Sequence, residues 1–324
     1  MADELIPIPI ETFRSATRDI NFDVFLKLSD ENVAHIFSKS TGVDYKRLAH
    51  YIQKGVTHLF IRAHDLAAYQ AFVSRPAIEI FNDPNTTNEK KIATLLNMTE
   101  QNMAEIFVQL SVRDETVADT RKLIGNYVKV MGERPQSLAL ILKLASHADY
   151  LYYHSIAVSI FSLFIAKASG MFDRRLLELV GLGGFLHDIG SVQLPPEIMN
   201  STEEFSTLER EEMRKHPKLG LEMLGETGEV PEEVRYIIYQ HHEQPNGKGY
   251  PNGISGPTMY YPARIVGLAD AFSALISRRP YREAYKPEMA IEILRKDPGK
   301  FDRHLVDMLA SVILRQAPPA KKAG

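Results

Sequence analysis

Apolar residues recur along this chain at two spacings, and the change from one to the other divides it. Up to about residue 85 the spacing is mixed. Ile6 to Ile10 alternates isoleucine with proline, which predicts a short strand at a sheet edge, where a missing N–H breaks no ladder. Phe25-Leu26-Lys27-Leu28 and His58-Leu59-Phe60-Ile61-Arg62 are compact apolar runs that predict two further strands. Ser29-Asp30-Glu31-Asn32 supplies N-capping side chains ahead of Val33, Ile36 and Phe37 at i, i+3 and i+4, which predicts a helix there. Asp44 to Ile52 and Asp65 to Phe81 predict two more. The turn-rich stretch Asp83-Pro84-Asn85-Thr86-Thr87-Asn88 then breaks the chain. Beyond it the spacing is helical: Glu89 to Leu110, Glu115 to Val130 and, past Glu133-Arg134-Pro135, a succession of amphipathic segments. The expected organisation is a small α+β domain over 1–85, a helical connector over 86–135, an all-α bundle over 136–316 and a disordered tail over 317–324.

In the helical part, histidines and aspartates fall on inward stripes. Val234, Ile237 and Ile238 stand at i, i+3 and i+4, and His241 and His242 follow at i+7 and i+8. Leu176, Leu179, Val180 and Gly184 define a second stripe, which His187 continues, and Asp188 follows where the chain turns through Ile189-Gly190. His154 shares a face with Leu151, Val158, Phe161 and Ile165. Asp270 shares one with Val266, Ala269 and Ser273, on a helix opened by Pro262. His216 lies in an amphipathic segment that Pro217 is expected to distort or restart.

A single core histidine finds a backbone acceptor as readily as a metal, so none of these is diagnostic alone. Together they are, because burying the adjacent pair His241-His242 is costly unless a cation binds both. Imidazole and carboxylate without thiolate suit iron or manganese, with zinc as an alternative, better than calcium or magnesium. Seven ligands exceed one tetrahedral shell. The expected assignment places His154, His187, Asp188 and Asp270 on one metal, and Asp188, His216, His241 and His242 on a second, with Asp188 bridging. Two metals about 3.5–4 Å apart activate a bridging hydroxide and neutralise a phosphoryl group, which is phosphodiester chemistry. His35, His50, His58, His64, His147 and His304 read as ordinary structural or surface residues.

Composition narrows the partners. Hydrophobic residues are 44% and charged residues 24%, as in an ordinary globular protein. A net charge of -3 provides no basic field for duplex nucleic acid. With no cysteine, disulfides, thiolate metal sites and a cysteine nucleophile are excluded. The acidic N-terminus lacks a signal pattern, and the longest apolar run, Ile156 to Ala166, falls short of the ~20 residues that span a bilayer. The expectation is a cytoplasmic protein that does not enter membranes.

The motifs His187-Asp188-Ile189-Gly190, His216-Pro217-Lys218-Leu219-Gly220, His241-His242-Glu243, Gly247-Lys248-Gly249-Tyr250-Pro251, Ala269-Asp270-Ala271-Phe272 and Ser277-Arg278-Arg279-Pro280-Tyr281-Arg282 resemble, in order and spacing, the HD-GYP domain. This is a branch of the HD superfamily of metal phosphohydrolases. The resemblance covers roughly Asp149 to Leu314 and implies an all-α HD-type bundle around a dinuclear metal site. It implies hydrolysis of cyclic di-GMP to pGpG, and in some members onward to GMP, within bacterial second-messenger signalling. Asp188, the expected metal bridge, and Tyr250, which a glycine-rich turn can carry over a ligand, are the candidate catalytic residues. Tyr250, Arg279 and Arg282, whose guanidinium forks suit phosphate or guanine edges, are candidate substrate contacts, and the resemblance adds the position of Ser191. Members with a third metal carry a glutamate where this chain has Tyr150, so two metals are implied. The family's lysine after His-Asp-Ile-Gly is Ser191 here, which removes a phosphate-facing cation. That departure keeps open a second reading, a weakly active or inactive cyclic-nucleotide receptor that retains the metal centre. Hydrolysis of another phosphoester is a third. The N-terminal domain reads equally as a packing or homodimer-forming unit and as a module for a sensory ligand or protein partner.

Overall fold

The computed structural model describes residues 5–13, 19–28, 32–69, 71–72, 114–131, 150–199, 205–225, 228–278 and 282–314, with scattered positions between 83 and 112. It divides into two compact units, Met1–Thr94 and Leu95–Gly324.

The first unit is built on a four-stranded antiparallel sheet. Its strands are β1 (Leu5–Pro9), β2 (Val24–Lys27), β3 (Val33–Phe37) and β4 (His58–Arg62), in the order β1-β4-β2-β3. β1 lies at an edge, as its prolines require, with Ile6 and Ile8 turned into the core. Helix α1 (Tyr45–Gln53) starts where Asp44 accepts hydrogen bonds from the backbone N–H of Lys46 (3.0 Å) and Arg47 (3.1 Å). Rings of Phe13, Phe22, Tyr69 and Phe72 pack together, 5.5–6.4 Å between centroids, and Phe13 also meets Phe37 of β3 at 5.9 Å. Residues 73–81 of the expected third helix lie outside the described residues.

One expectation is corrected. The helix predicted over Val33, Ile36 and Phe37 is strand β3. Its register steps from Val24↔Phe37 to Phe25↔His35, so Ile36 is the extra residue of a β-bulge. The bulge buries the neighbours Ile36 and Phe37 together, which breaks the two-residue alternation and imitates a helical stripe.

The second unit is helical. Its described helices are α2 (Asp114–Met131), α3 (Tyr150–Ala168), α4 (Arg174–Leu186), α5 (Pro196–Met199), α6 (Thr207–Met213), α7 (His216–Leu224), α8 (Glu232–Gln240), α9 (Tyr261–Ile276), α10 (Pro287–Arg295) and α11 (Arg303–Leu314). α3 is apolar around most of its circumference and packs on α4, α9 and α11; α4 also meets α2, α8 and α9. Phe161 of α3 meets Phe272 of α9 edge to face at 5.0 Å. Close approach of α3 and α4 depends on Gly184, where a Cβ would lie 2.9 Å from Ser159 Cα, and the Ser159 hydroxyl donates to Gly181 O at 2.7 Å. The stripe predicted to begin at Leu176 begins at Leu177 instead. Leu176 is 38% exposed because the first turn of α4, capped by Asp173, stands at the surface. Pro217 restarts the chain as α7 two residues after α6 ends, and sits in the first turn, where its missing N–H has no intrahelical partner to lose. Residues 136–149 and the tail 317–324 lie outside the described residues. Among the described residues no helix is long and apolar enough to cross a membrane.

Candidate metal centre

Helix ends and helix middles deliver the seven candidate ligand side chains to one place. His187 and Asp188 follow α4, His241 and His242 follow α8, and His216 opens α7. His154 and Asp270 project from within α3 and α9. The turn after Asp188 packs on α7 with no room to spare. A Cβ at Gly190 would overlap the carbonyl oxygen of His216 and the backbone nitrogen of Gly220, so only glycine lets these two segments meet.

Asp188 is the pivot. Its Oδ2 faces His187 Nε2 at 3.4 Å and His154 Nε2 at 4.0 Å, while its Oδ1 faces His216 Nε2 at 3.2 Å and His241 Nε2 at 3.7 Å. Two sets able to hold a metal result: His154, His187 and Asp188, and Asp188, His216, His241 and His242. Asp270 joins the first through His154 (3.0 Å) and His187 (4.0 Å), and its other oxygen lies 4.0 Å from His242 Nδ1.

The protonation pattern fits a cation. His187, His216 and His241 each have Nδ1 on the carbonyl oxygen three residues earlier, at 2.8, 2.7 and 2.7 Å. Each Nδ1 therefore carries the proton and donates it, and each Nε2 presents a lone pair to the cluster. His216 Nε2 and His241 Nε2 are 3.2 Å apart. Two lone pairs at that distance repel, and a shared cation satisfies both. His187 Nε2 is buried and makes no hydrogen bond. Forming imidazolium at His216 is opposed: burial, with His241 nearby, lowers its pKa to about 4 despite Asp188. Burial, His241 and His216 also hold His242 well below the usual range. His187 differs: burial acts downward, but Asp188 and Asp270 outweigh it and raise the pKa to about 9, so without a cation its Nε2 carries a proton toward Asp188, and a metal would have to displace that proton to take the lone pair. Burial acts upward on Asp188 and Asp270, yet the surrounding imidazoles keep both carboxyls well below the usual carboxylate range.

Tyr250 stacks on His242 with ring centroids 4.7 Å apart and an interplanar angle of 27°. Burial, reinforced by Asp188 and Asp270, raises its phenol pKa, so the hydroxyl stays protonated. Glu243 positions this loop and was not singled out by sequence. Buried directly after the histidine pair, its carboxylate accepts from Asn252 N at 2.7 Å and Ile254 N at 3.1 Å. A lone carboxylate in a motif gives no sign that it will be buried against a loop. Arg214 was also missed. Two residues before His216, it places its guanidinium over the Tyr250 ring, 5.4 Å from the centroid.

Ser191 is buried in the 3₁₀ turn Ile189–Gln193, its backbone N–H donating to Asp188 O at 2.9 Å. Arg282 donates to the carbonyls of Ala274, Leu275 and Glu283 at 2.8–3.1 Å, closing the end of α9, and lines a cavity of about 300 Å³ with Ala271, Ile293 and Phe301. Arg279 lies outside the described residues. Of the histidines read as ordinary, His35 and His64 pair with Asp23 and Asp65, and His58 bonds Thr57, all in the first unit.

An all-α bundle that gathers histidines and aspartates from helix ends into one buried cluster defines an HD-type domain, and residues 122–305 match the HD domain as a family. The chain belongs to the HD domain family. It is similar to Cyclic di-GMP phosphodiesterase PA4108 of Pseudomonas aeruginosa, 32% identical over 168 residues, which cover 52% of this chain and 40% of that protein. It is similar to Cyclic di-GMP phosphodiesterase response regulator RpfG of Xanthomonas campestris pv. campestris, 33% identical over 45% of this chain and 39% of that protein. A third relative, 3'3'-cGAMP-specific phosphodiesterase 2 of Vibrio cholerae, is 26% identical over 58% of this chain and 39% of its own length. The chain thus spans about two fifths of the length of these relatives. In fold it is similar to Bd1817, a HDG"Y"P protein from Bdellovibrio bacteriovorus, with a TM-score of 0.74 over 96% of this chain and 100% of that one, at 20% identity.

Proposed function

We propose that this protein is a metal-dependent phosphodiesterase that opens a cyclic dinucleotide, cyclic di-GMP first among them, to its linear form. One observation carries the reading: the two oxygens of Asp188 face two different sets of imidazole nitrogens, as a carboxylate shared by two cations requires. Two divalent metals, iron or manganese, would supply an acidified water and neutralise phosphoryl charge. The chain's part is to hold the ligand lone pairs inward through the Nδ1 hydrogen bonds of His187, His216 and His241. Asp188 and Asp270 balance the added charge. Tyr250 offers a protonated hydroxyl beside His242. Arg279 is proposed to hold the dinucleotide, since a guanidinium fork suits phosphate and guanine edges, whereas Arg282 commits its guanidinium to the carbonyls of Ala274, Leu275 and Glu283. Ser191 brings no cation to the phosphate. Its replacement by lysine is expected to raise turnover.

The test is product analysis by chromatography of iron- or manganese-loaded protein with cyclic di-GMP and cyclic GMP-AMP. Wild type, Asp188→Ala and Ser191→Lys are compared. Linear product from wild type, none from Asp188→Ala and more from Ser191→Lys is the expected pattern. Intact substrates after prolonged incubation with fully loaded wild type would overturn the proposal.

A further inference from the structure

Tyr250 does not stand alone at the mouth of the centre. Its ring stacks on the ligand His242, stands edge to face with His216 at 6.4 Å, and takes the Arg214 guanidinium at 5.4 Å from its centroid. Arg214 is exposed, whereas His154, His187, His216 and His241 are buried, so its charge lies outside the metal shell. Several other arginines of the unit are engaged. Arg264 pairs with Asp302 at 3.6 Å and Arg278 with Glu283 at 3.3 Å, and Arg282 closes α9. Arg214, by contrast, faces no carboxylate among the described residues, and its side chain is held by the aromatic face alone. An arginine lying over an aromatic ring keeps its N–H edge free for the paired oxygens of a phosphate while its stem is already ordered.

Position adds to this. The turn carrying Ser191 is packed against the start of α7, with Gly190 on the His216 carbonyl, and Arg214 precedes that same histidine by two residues. The segment that lacks a cation at 191 therefore adjoins the segment that supplies one at 214.

We propose that Arg214 grips the second, non-reacting phosphate of the cyclic dinucleotide. This rests on the phosphodiesterase reading and deepens it. A cyclic dinucleotide carries two phosphodiesters, and only one can lie on the metals. The other needs a partner at the mouth, outside the buried shell, which is where Arg214 stands. The residue is a substrate-binding one, and it discriminates substrates with two phosphates from those with one.

The experiment compares wild type, Arg214→Ala and Arg214→Lys, each loaded with manganese, on cyclic di-GMP and on bis(p-nitrophenyl) phosphate, which has a single phosphate. Loss of a charge-assisted hydrogen bond is expected to raise KM for cyclic di-GMP roughly 10-fold or more in Arg214→Ala. Arg214→Lys, which keeps the charge and loses the fork, should recover part of this. Metal content and melting temperature should not change, and hydrolysis of bis(p-nitrophenyl) phosphate should fall far less than that of cyclic di-GMP. An unchanged KM for cyclic di-GMP in Arg214→Ala overturns the assignment while leaving the phosphodiesterase reading intact. Equal losses on both diesters overturn it too, because they mark a disturbed metal site. Wild type that hydrolyses bis(p-nitrophenyl) phosphate but neither hydrolyses nor binds a cyclic dinucleotide overturns both readings.

Discussion

Glu243→Gln replaces one carboxylate oxygen with an NH2 group where two backbone N–H groups need acceptors. The native carboxylate serves Asn252 N at 2.7 Å and Ile254 N at 3.1 Å, and the residue is 5% exposed. Hydrogen bonds to a charged acceptor contribute about 1.5–3 kcal/mol each, and a neutral amide oxygen contributes about half as much. Glutamine retains one acceptor and sets its NH2 against the remaining N–H, which is left without water or partner. The expected loss is about 2–4 kcal/mol, concentrated in the loop that carries Tyr250. In a unit of this size that lowers the melting temperature roughly 5–10 °C. Glu243 does not contribute to either ligand set, so metal content should be retained. Turnover should fall about 10-fold to 100-fold, because Tyr250 loses the loop that holds it on His242. Calorimetry, metal analysis and initial rates on one preparation test all three. A variant that melts and turns over like wild type would refute the loop-clamping argument. Loss of metal with the rate would show that Glu243 acts on the ligands instead.

Asp188→Ala should abolish binding of both metals, whereas Asp270→Ala should spare the set around His216, His241 and His242; plasma emission analysis after dialysis distinguishes them. Gly190→Ala places a methyl on the His216 carbonyl oxygen and Gly220 nitrogen, so it should lower stability by about 1–3 kcal/mol and reduce metal occupancy, read by denaturant unfolding and metal analysis. Tyr127 is fully buried, and burial, only partly offset by Thr99, raises its phenol pKa above the ordinary 10. The folded state therefore keeps a neutral phenol where the unfolded chain ionises. That contribution is complete below about pH 10 and is lost as pH rises beyond it. Tyr127→Phe should flatten the alkaline limb of the melting-temperature profile, and an unchanged limb would count against the burial argument.

The legibility of the chain followed its periodicity. The stripe Val234, Ile237, Ile238, His241 and His242 could be read because a 3.6-residue repeat in one helix places its members on one face whatever packs against it. The Pro7 and Pro9 edge strand could be read because proline cannot donate to a neighbour. β3 could not. Its Ile36-Phe37 pair owes its burial to a bulge against β2, a property of two strands together. Leu176 failed similarly, since its exposure depends on where the α4 N-terminus meets solvent.

The sequence by itself determined which side chains could serve a metal centre. Residue chemistry and helical phase are local, and the absence of cysteine restricts the ligands to nitrogen and oxygen. Only the tertiary structure decided how those side chains are shared. The division of Asp188 between two imidazole sets and the seat of Arg214 on Tyr250 join segments far apart in the chain. Such contacts arise from helix packing, which brings together α3, α4, α7, α8 and α9, and no periodicity within any one of them encodes where the others will lie.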